Sequence, residues 1–205
     1  ELFRVAAADY DETVRAGKSC LAISPVWSEI RQFTAAVRTE LRTAGILSGE
    51  DRTFGVVTPL HWTREERRRI ANYRSGDVLV FHRAAAGFAK HDLVTVVRRQ
   101  DRWLEVRRED GATRWLEPQR ATGFEVGERQ ELPVAVGDRL LVRANDKRLG
   151  LKNGDLVEVA GFEDSAIRLR DGRRIPAHFR QFAHGYATTS HAAQGKTVDR
   201  GILLM

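Results

Sequence analysis

The chain has 205 residues, is 42% hydrophobic, and carries 34 Lys plus Arg against 28 Asp plus Glu, a net charge of +6. This length fits one large domain or a few small ones with real buried cores, and the basic balance favours a polyanionic partner. Its single cysteine, Cys20, excludes a disulfide framework and a cysteine-rich metal site; no apolar run is long enough to span a membrane, and Glu1-Leu-Phe-Arg has no signal-peptide anatomy, so no membrane partner and a cytoplasmic location are expected.

Residues 9 to 17 are charged and end in Gly17, which predicts a short helix and its cap. Leu21-Ala-Ile-Ser24 predicts an apolar strand, with Ser24 placed to cap a helix whose first position is Pro25. Ile30, Phe33, Val37 and Leu41 recur at helical spacing, and Gly45 closes that helix. Strand, turn and helix make half of a βαβ unit. Thr63-Arg-Glu-Glu66 is a capping box that opens an arginine-rich helix, read as a solvated surface helix over the alternative of a direct phosphate contact.

From Gly76 the pattern alternates, and the chain repeats itself. Gly76-Asp-Val-Leu-Val matches Gly137-Asp-Arg-Leu-Leu, Asp92-Leu-Val matches Asp155-Leu-Val, and Asp110-Gly111 matches Asp171-Gly172, at offsets of 61, 63 and 61. Each copy reads as short strands with an Asp-Gly hairpin, which predicts two tandem SH3-like barrels near 76 to 120 and 137 to 180. Trp103 and Trp115 alternate with Leu104, Val106 and Leu116 in the first, so barrel-core or cross-strand packing is expected of them, with base stacking as the alternative. The second is the more basic: residues 139–180 hold ten Lys or Arg against six Asp or Glu, and 98–120 hold seven against five. Asn153-Gly154 is a tight-turn signal, whereas Asn145, Lys147, Arg148 and Lys152 are free to meet a phosphate backbone.

The final stretch predicts a strand over Tyr186–Thr189, a helical turn through His191 to Gln194, a break at Gly195 and a strand starting at Ile202. Thr189, His191 and Gln194 then stand at a strand's carboxyl end, where open α/β sheets bind ligands. Neither Gly195-Lys-Thr197 nor Gly17-Lys-Ser19 is a P-loop, because the required glycine five residues earlier is Ser190 in one and Glu12 in the other. His61, His82, His91, His178 and His184 show no paired carboxylate or ligand spacing, so structural or surface roles are expected.

Thr189-Ser-His-Ala-Ala-Gln-Gly195 resembles motif V of superfamily 1 DNA helicases, and its continuation Lys196-Thr-Val-Asp-Arg200 resembles the helicase region of conjugative relaxases. Many such helicases carry an acid where this chain has Thr197. The Ser24-Pro25 turn, Leu60-His-Trp-Thr63, and the stretch Asn145 to Asp155 resemble other parts of the same family. The resemblance implies an α/β plus all-β fold: a partial second RecA-like domain over 1–60 and 184–205, a leading helix, first barrel and connector over 61–136, and a second barrel over 137–183. It implies DNA contacts from Thr189, Ser190 and His191, and places Gln194, Gly195 and Lys196 toward a nucleotide. The implied partners are single-stranded DNA and the first RecA-like domain of the same parent chain; the implied cofactor is ATP with Mg2+ in that parent and none for this segment. With no initiator methionine and a strand opening at Ile202, the chain is expected to be part of a longer protein. Two other readings stand beside this one: a nucleic-acid-binding module on a vestigial platform, and an SH3-type adaptor, which the arginine-rich repeats disfavour.

Overall fold

The computed structural model describes residues 2–195 and 197–204, with His191 described by its backbone alone. The elements run α1 (Leu2–Arg15), β1 (Cys20–Ile23), α2 (Trp27–Thr43), β2 (Ser48–Pro59), α3 (Arg64–Arg68), β3 (Val78–Phe81), β4 (Leu93–Gln100), β5 (Trp103–Arg108), β6 (Thr113–Leu116) and β7 (Phe124–Val136). They continue with β8 (Arg139–Val142), β9 (Leu156–Glu163), β10 (Ala166–Leu169), β11 (Arg174–Ile175), β12 (Phe182–His184), β13 (Ala187–Thr188), α4 (Ser190–Ala193) and β14 (Arg200–Leu203). Contacts divide the chain into two compact units, Glu1–Phe54 with Leu132–Met205, and Gly55–Glu131.

In the first unit β1 lies between β13 and β14, parallel to both, with Ala22 opposite Ala187 and Ile202. Helix α2 buries Ile30, Phe33, Val37 and Leu41, the stripe read from the sequence. Helix α1 is longer than expected, starting at Leu2, because Ala7 and Tyr10 are buried and Phe3, Ala6 and Val14 pack on the same core. Its small alanines hide that stripe from a count of large apolar residues. Both helices end in the same glycine motif: Gly17 N donates to Val14 O and Lys18 N to Thr13 O, as Gly45 N donates to Arg42 O and Ile46 N to Leu41 O. The expected cap at Ser24 is corrected. Ser24 Oγ accepts from Val26 N at 2.9 Å and donates to Glu29 at 2.5 Å, so it closes a turn over Pro25 and the helix begins two residues later.

The second repeat, sheet order β11-β10-β9-β8-β12, belongs to this same unit, joined to it by a buried carboxylate. Asp138 is fully buried and accepts from Ala135 N at 2.6 Å, Tyr186 Oη at 2.6 Å, and Arg38 Nε and Nη2 at 3.0 Å each. Gly137, at φ +93°, makes the approach possible: a Cβ there would come within 2.3 Å of Ile46 O. His184 Nε2 lies 2.8 Å from Pro133 O and 3.9 Å from Asp138, a carboxylate neighbour that no sequence spacing disclosed. Burial, and then the Asp138 charge and hydrogen bond, push the Tyr186 phenol well above its ordinary value, so it acts as a donor.

In the second unit, β3 to β6 form the end of a six-stranded sheet ordered β2-β7-β3-β4-β5-β6, the unit boundary falling within β2 and β7. Leu79, Phe81, Val94, Val96, Leu104, Val106 and Leu116 fill one face. The capping box is present, with Thr63 N donating to Glu66 Oε2 at 2.7 Å and Glu66 N to Thr63 Oγ1 at 3.2 Å. The repeat recurs bond for bond: Gly76 N to Val96 O and Gly137 N to Val159 O, Arg74 N to Asp77 and Ala135 N to Asp138, Ala89 N to Asp92 and Lys152 N to Asp155. Among the described pairings the two repeats form open sheets, and no closed barrel is found. The 13-residue β7 leaves the first repeat open on β2, and two-residue β11 and three-residue β12 are too short to pair further. Trp103 and Trp115 are not core residues: they alternate with buried Leu104 and Leu116 and stand on the sheet's other face, Trp115 at 46% exposure with Glu105 opposite it.

Because Arg38 keeps only Asp51 without its buried partner, Asp138→Ala should cost about 3–5 kcal/mol, whereas Asp77→Ala, which loses one backbone contact at the equivalent turn, should cost about 1 kcal/mol; urea unfolding of both variants checks this. Burial, opposed in part by Asp138, holds the His184 imidazole below its usual value of 6.5. Its neutral form therefore contributes stability that is present above pH about 6.5 and lost as pH falls toward the folded value. Relative to His184→Gln, the wild-type midpoint should drop more between pH 7 and pH 5.

Candidate nucleic-acid interface

The carboxyl edge of the parallel sheet carries the motif. Ser24 N donates to Thr188 O at 3.1 Å and Leu204 N to Ile23 O at 2.9 Å, so all three strands end side by side. Chain direction reverses at Thr189, whose carbonyl accepts from Ala193 N at 2.9 Å and whose Oγ1 accepts from Ala192 N at 3.4 Å. Thr189 is half-buried; Ser190, Gln194 and Gly195 are exposed, and Gly195 takes φ +77° to leave α4. Ser190 and Gln194 have no partner among the described residues, which leaves a hydroxyl and an amide directed to solvent. His191 lies in α4 but its side chain, and all of Lys196, lie outside the described residues.

The chain just beyond the motif is clasped in a way the sequence does not announce. Asp199 Oδ2 accepts from Ser19 N at 2.8 Å and Ser19 Oγ at 2.6 Å, while Asp199 N donates back to Ser19 Oγ at 2.9 Å. These contacts hold the Asp199 carboxyl below its ordinary range. Arg200 then pairs with Asp9 at 2.7 Å. Gly17-Lys-Ser19 thus holds the continuation of the motif in place. A pairing of residues 180 apart carries no sequence period that could reveal it.

The loop of the second repeat is built on its acids and presents its bases. Asp146 exchanges backbone bonds with Leu151, and its Oδ1 accepts from Arg148 N at 2.9 Å and Leu149 N at 3.2 Å. Asn145, expected to be free, instead accepts from Asn153 N at 2.9 Å and closes the loop. Arg173 bonds Asp155 at 2.6 Å, Asp171 at 2.7 Å and Gly150 O at 2.8 Å; against the opposing effect of burial, it keeps the Asp155 carboxyl below its usual range. With the acids occupied, Lys147, Arg148 and Lys152 are exposed and make no ion pair among the described residues. Nearby in sequence, Arg143 lies over the Trp27 ring at 5.3 Å, where burial lowers its pKa. No described hydrogen bond joins this loop to the Thr189–Gly195 turn, and both belong to the same unit.

Ser19 is spent on Asp199, and a Cβ on Gly195 would meet nothing within 4 Å, so no packed cradle surrounds it. Among the described residues no group of three His, Cys, Asp or Glu could hold a metal ion, and no helix is long and apolar enough to cross a membrane.

Charge reversal of Lys147, Arg148 and Lys152 together should leave the melting temperature within about 2 °C of wild type, since exposed unpaired charges contribute little. Asn145→Ala strands the Asn153 amide and should cost about 1 kcal/mol in a urea melt.

No protein-family model matches the chain. Solved structures that resemble it include Pif1 from Bacteroides sp. without ligand, TM-score 0.39 at 14% identity over 91% of this chain and 46% of that one, and a structure of two coordinating Pif1 helicases unwinding forked dsDNA, TM-score 0.36 at 15% identity over 91% and 32%. Two curated relatives, both named multifunctional conjugation protein TraI, from Escherichia coli and from its strain K12, are each 28% identical over 176 residues, 83% of this chain. The chain is therefore a homologue of a segment of the conjugation protein TraI, spanning about 10% of that protein's length.

Proposed function

We propose that this chain is the single-strand-gripping part of the second motor lobe of an ATP-dependent DNA helicase, in a conjugation protein of the relaxase type. The observation that carries the reading is the Thr189–Gly195 turn, which has the motif V sequence and stands at the carboxyl end of a parallel sheet. The 28% identity to TraI over most of the chain supports it. The SH3-like character of both repeats, the lobe boundaries near 60 and 184, and a site shared with a facing RecA-like lobe belong to the same proposal.

Ser190 offers a hydroxyl to a DNA phosphate, and Thr189 orders the turn by capping α4. Gln194 and Gly195 face the cleft where the parent's other lobe holds ATP and Mg2+, whose chemistry is phosphoryl transfer, and Lys196 is assigned to the same nucleotide. Lys147, Arg148 and Lys152 add a second, purely electrostatic hold on the strand.

Fluorescence anisotropy with a labelled oligothymidylate should show binding that weakens steeply with salt. Charge reversal at Lys147, Arg148 and Lys152 should flatten the log-log salt slope by about 2, as expected for three lost single-strand phosphate contacts, and by more than reversal at Arg98, Arg99 and Arg102. The chain alone should release no phosphate from ATP; metal-dependent hydrolysis abolished by changing Lys18 or Lys196 would overturn that. In the intact parent, His191→Ala should keep basal ATPase and lose most of its stimulation by DNA, which separates the motor reading from the vestigial one.

A further inference from the structure

Residues 55–131 carry two adjoining cavities that the motif does not use. The first, about 350 Å³, is lined by Arg64, Arg67, Arg68, His82, Arg83 and the Thr122-Gly123 turn. No carboxylate lines it. Its arginines are held in place mostly by neutral groups: Arg67 Nη1 donates to Phe124 O at 2.5 Å and Arg83 Nη2 to Thr122 Oγ1 at 3.0 Å, so most of their N–H donors are unspent. Arg64 has no partner among the described residues, and Arg68 has only Glu65, at 3.8 Å. The fit of Arg83 to the turn is specific. A Cβ on Gly123 would fall 2.3 Å from Arg83 Cγ, and Gly123, at φ +85°, accepts from His82 N at 2.9 Å.

The second cavity shares Arg83, Ala121 and Thr122 with the first and is walled by Trp103 and Trp115. The register puts Arg98, Glu105 and Trp115 in one row across β4, β5 and β6, so they share a face. Arg98 stands 5.5 Å from the Trp115 ring centre and Arg102 5.5 Å from that of Trp103. The one acid lining this cavity, Glu117, is engaged by Arg120 at 3.2 Å and Arg102 at 3.8 Å. An indole at 46% exposure among arginines, beside a carboxylate-free basic seat, matches the two needs of an unpaired polynucleotide: a flat apolar surface for a base and cations for its phosphate.

We infer that Gly55–Glu131 bears its own single-stranded DNA site, with a phosphate seated among Arg64, Arg67 and Arg83 and an adjacent base stacked on Trp115 beside Trp103. Arg83, common to both cavities, positions the strand between them. The inference rests on the DNA-binding reading of the chain but assigns a contact independent of the Thr189–Gly195 turn and of the loop after Asn145. It also gives a role to the outward-facing Trp115 on the edge strand β6.

The test uses the whole chain and two probes, a dT oligomer and an abasic oligomer of equal length, followed by anisotropy and by quenching of tryptophan fluorescence. Wild type should bind dT more tightly than the abasic strand and be quenched by it. Trp115→Ala should lower dT affinity by about 5- to 100-fold, the worth of one stacked base, and erase the preference over the abasic strand, while Trp115→Phe restores part of it; Arg83→Glu with Arg64→Glu should weaken both probes and flatten the salt slope by about 1. A thermal melt on each variant separates loss of binding from loss of fold, and Trp115→Phe keeps the site testable if the alanine variant unfolds. Equal affinity of wild type for the two probes, unchanged by substitution of Trp115, overturns this site, and if reversal at Lys147, Arg148 and Lys152 still weakens binding, the proposed function stands without it. Tighter binding of an oligouridylate RNA than of dT overturns the assignment to DNA; no binding of any strand at low salt overturns both.

Discussion

A buried carboxylate with four donors organises the first unit. Asp138 opens the second copy of the repeat, yet its partners come from outside that copy's sheet: Arg38 on α2, Tyr186 at the approach to β13, and Ala135 at the end of β7. Taking such a group from water is costly unless every lone pair is used, and here it is used by a guanidinium, a phenol and an amide. The equivalent Asp77 of the first copy makes the same turn with a single backbone bond and no ion pair among the described residues. One repeat is thus welded to the parallel sheet and the other is a compact unit in its own right.

That difference bears on function. Tyr186 immediately precedes β13, and β13 runs into the Thr189–Gly195 turn, so the carboxylate that fixes the second repeat also fixes the strand that presents the motif. The Ser19–Asp199 clasp fixes the turn's exit into β14. Between these anchors stand an exposed hydroxyl, an exposed amide and a glycine with open space around it. A loop with rigid ends and unspent donors suits a contact that forms and releases as a strand moves past.

Local order is legible in the sequence and long-range partnership is not. The α2 stripe, the Thr63–Glu66 box and the strand before Thr189 are set by neighbours within a few residues, and all appear in the fold. The length of α1 is hidden by small alanines. The role of Ser24 turns on a choice between capping a helix and closing a turn, which Pro25 decides by holding the helix start back to Trp27. Asn145 reads as solvent-facing because its acceptor duty falls on a backbone amide eight residues away, and Arg173 reaches Asp155 from across the hairpin. Whether Trp115 faces the core or water is a matter of register, and a one-residue step reverses it.

Hydrogen–deuterium exchange of the chain with and without saturating oligothymidylate tests directly which segments hold the strand, because a bound strand slows exchange of the amides it covers. Slowed exchange is expected over residues 145–153 and 189–195, with the Asp138 turn unchanged because it is already protected. Slowed exchange in neither segment, with oligothymidylate bound, would contradict the account.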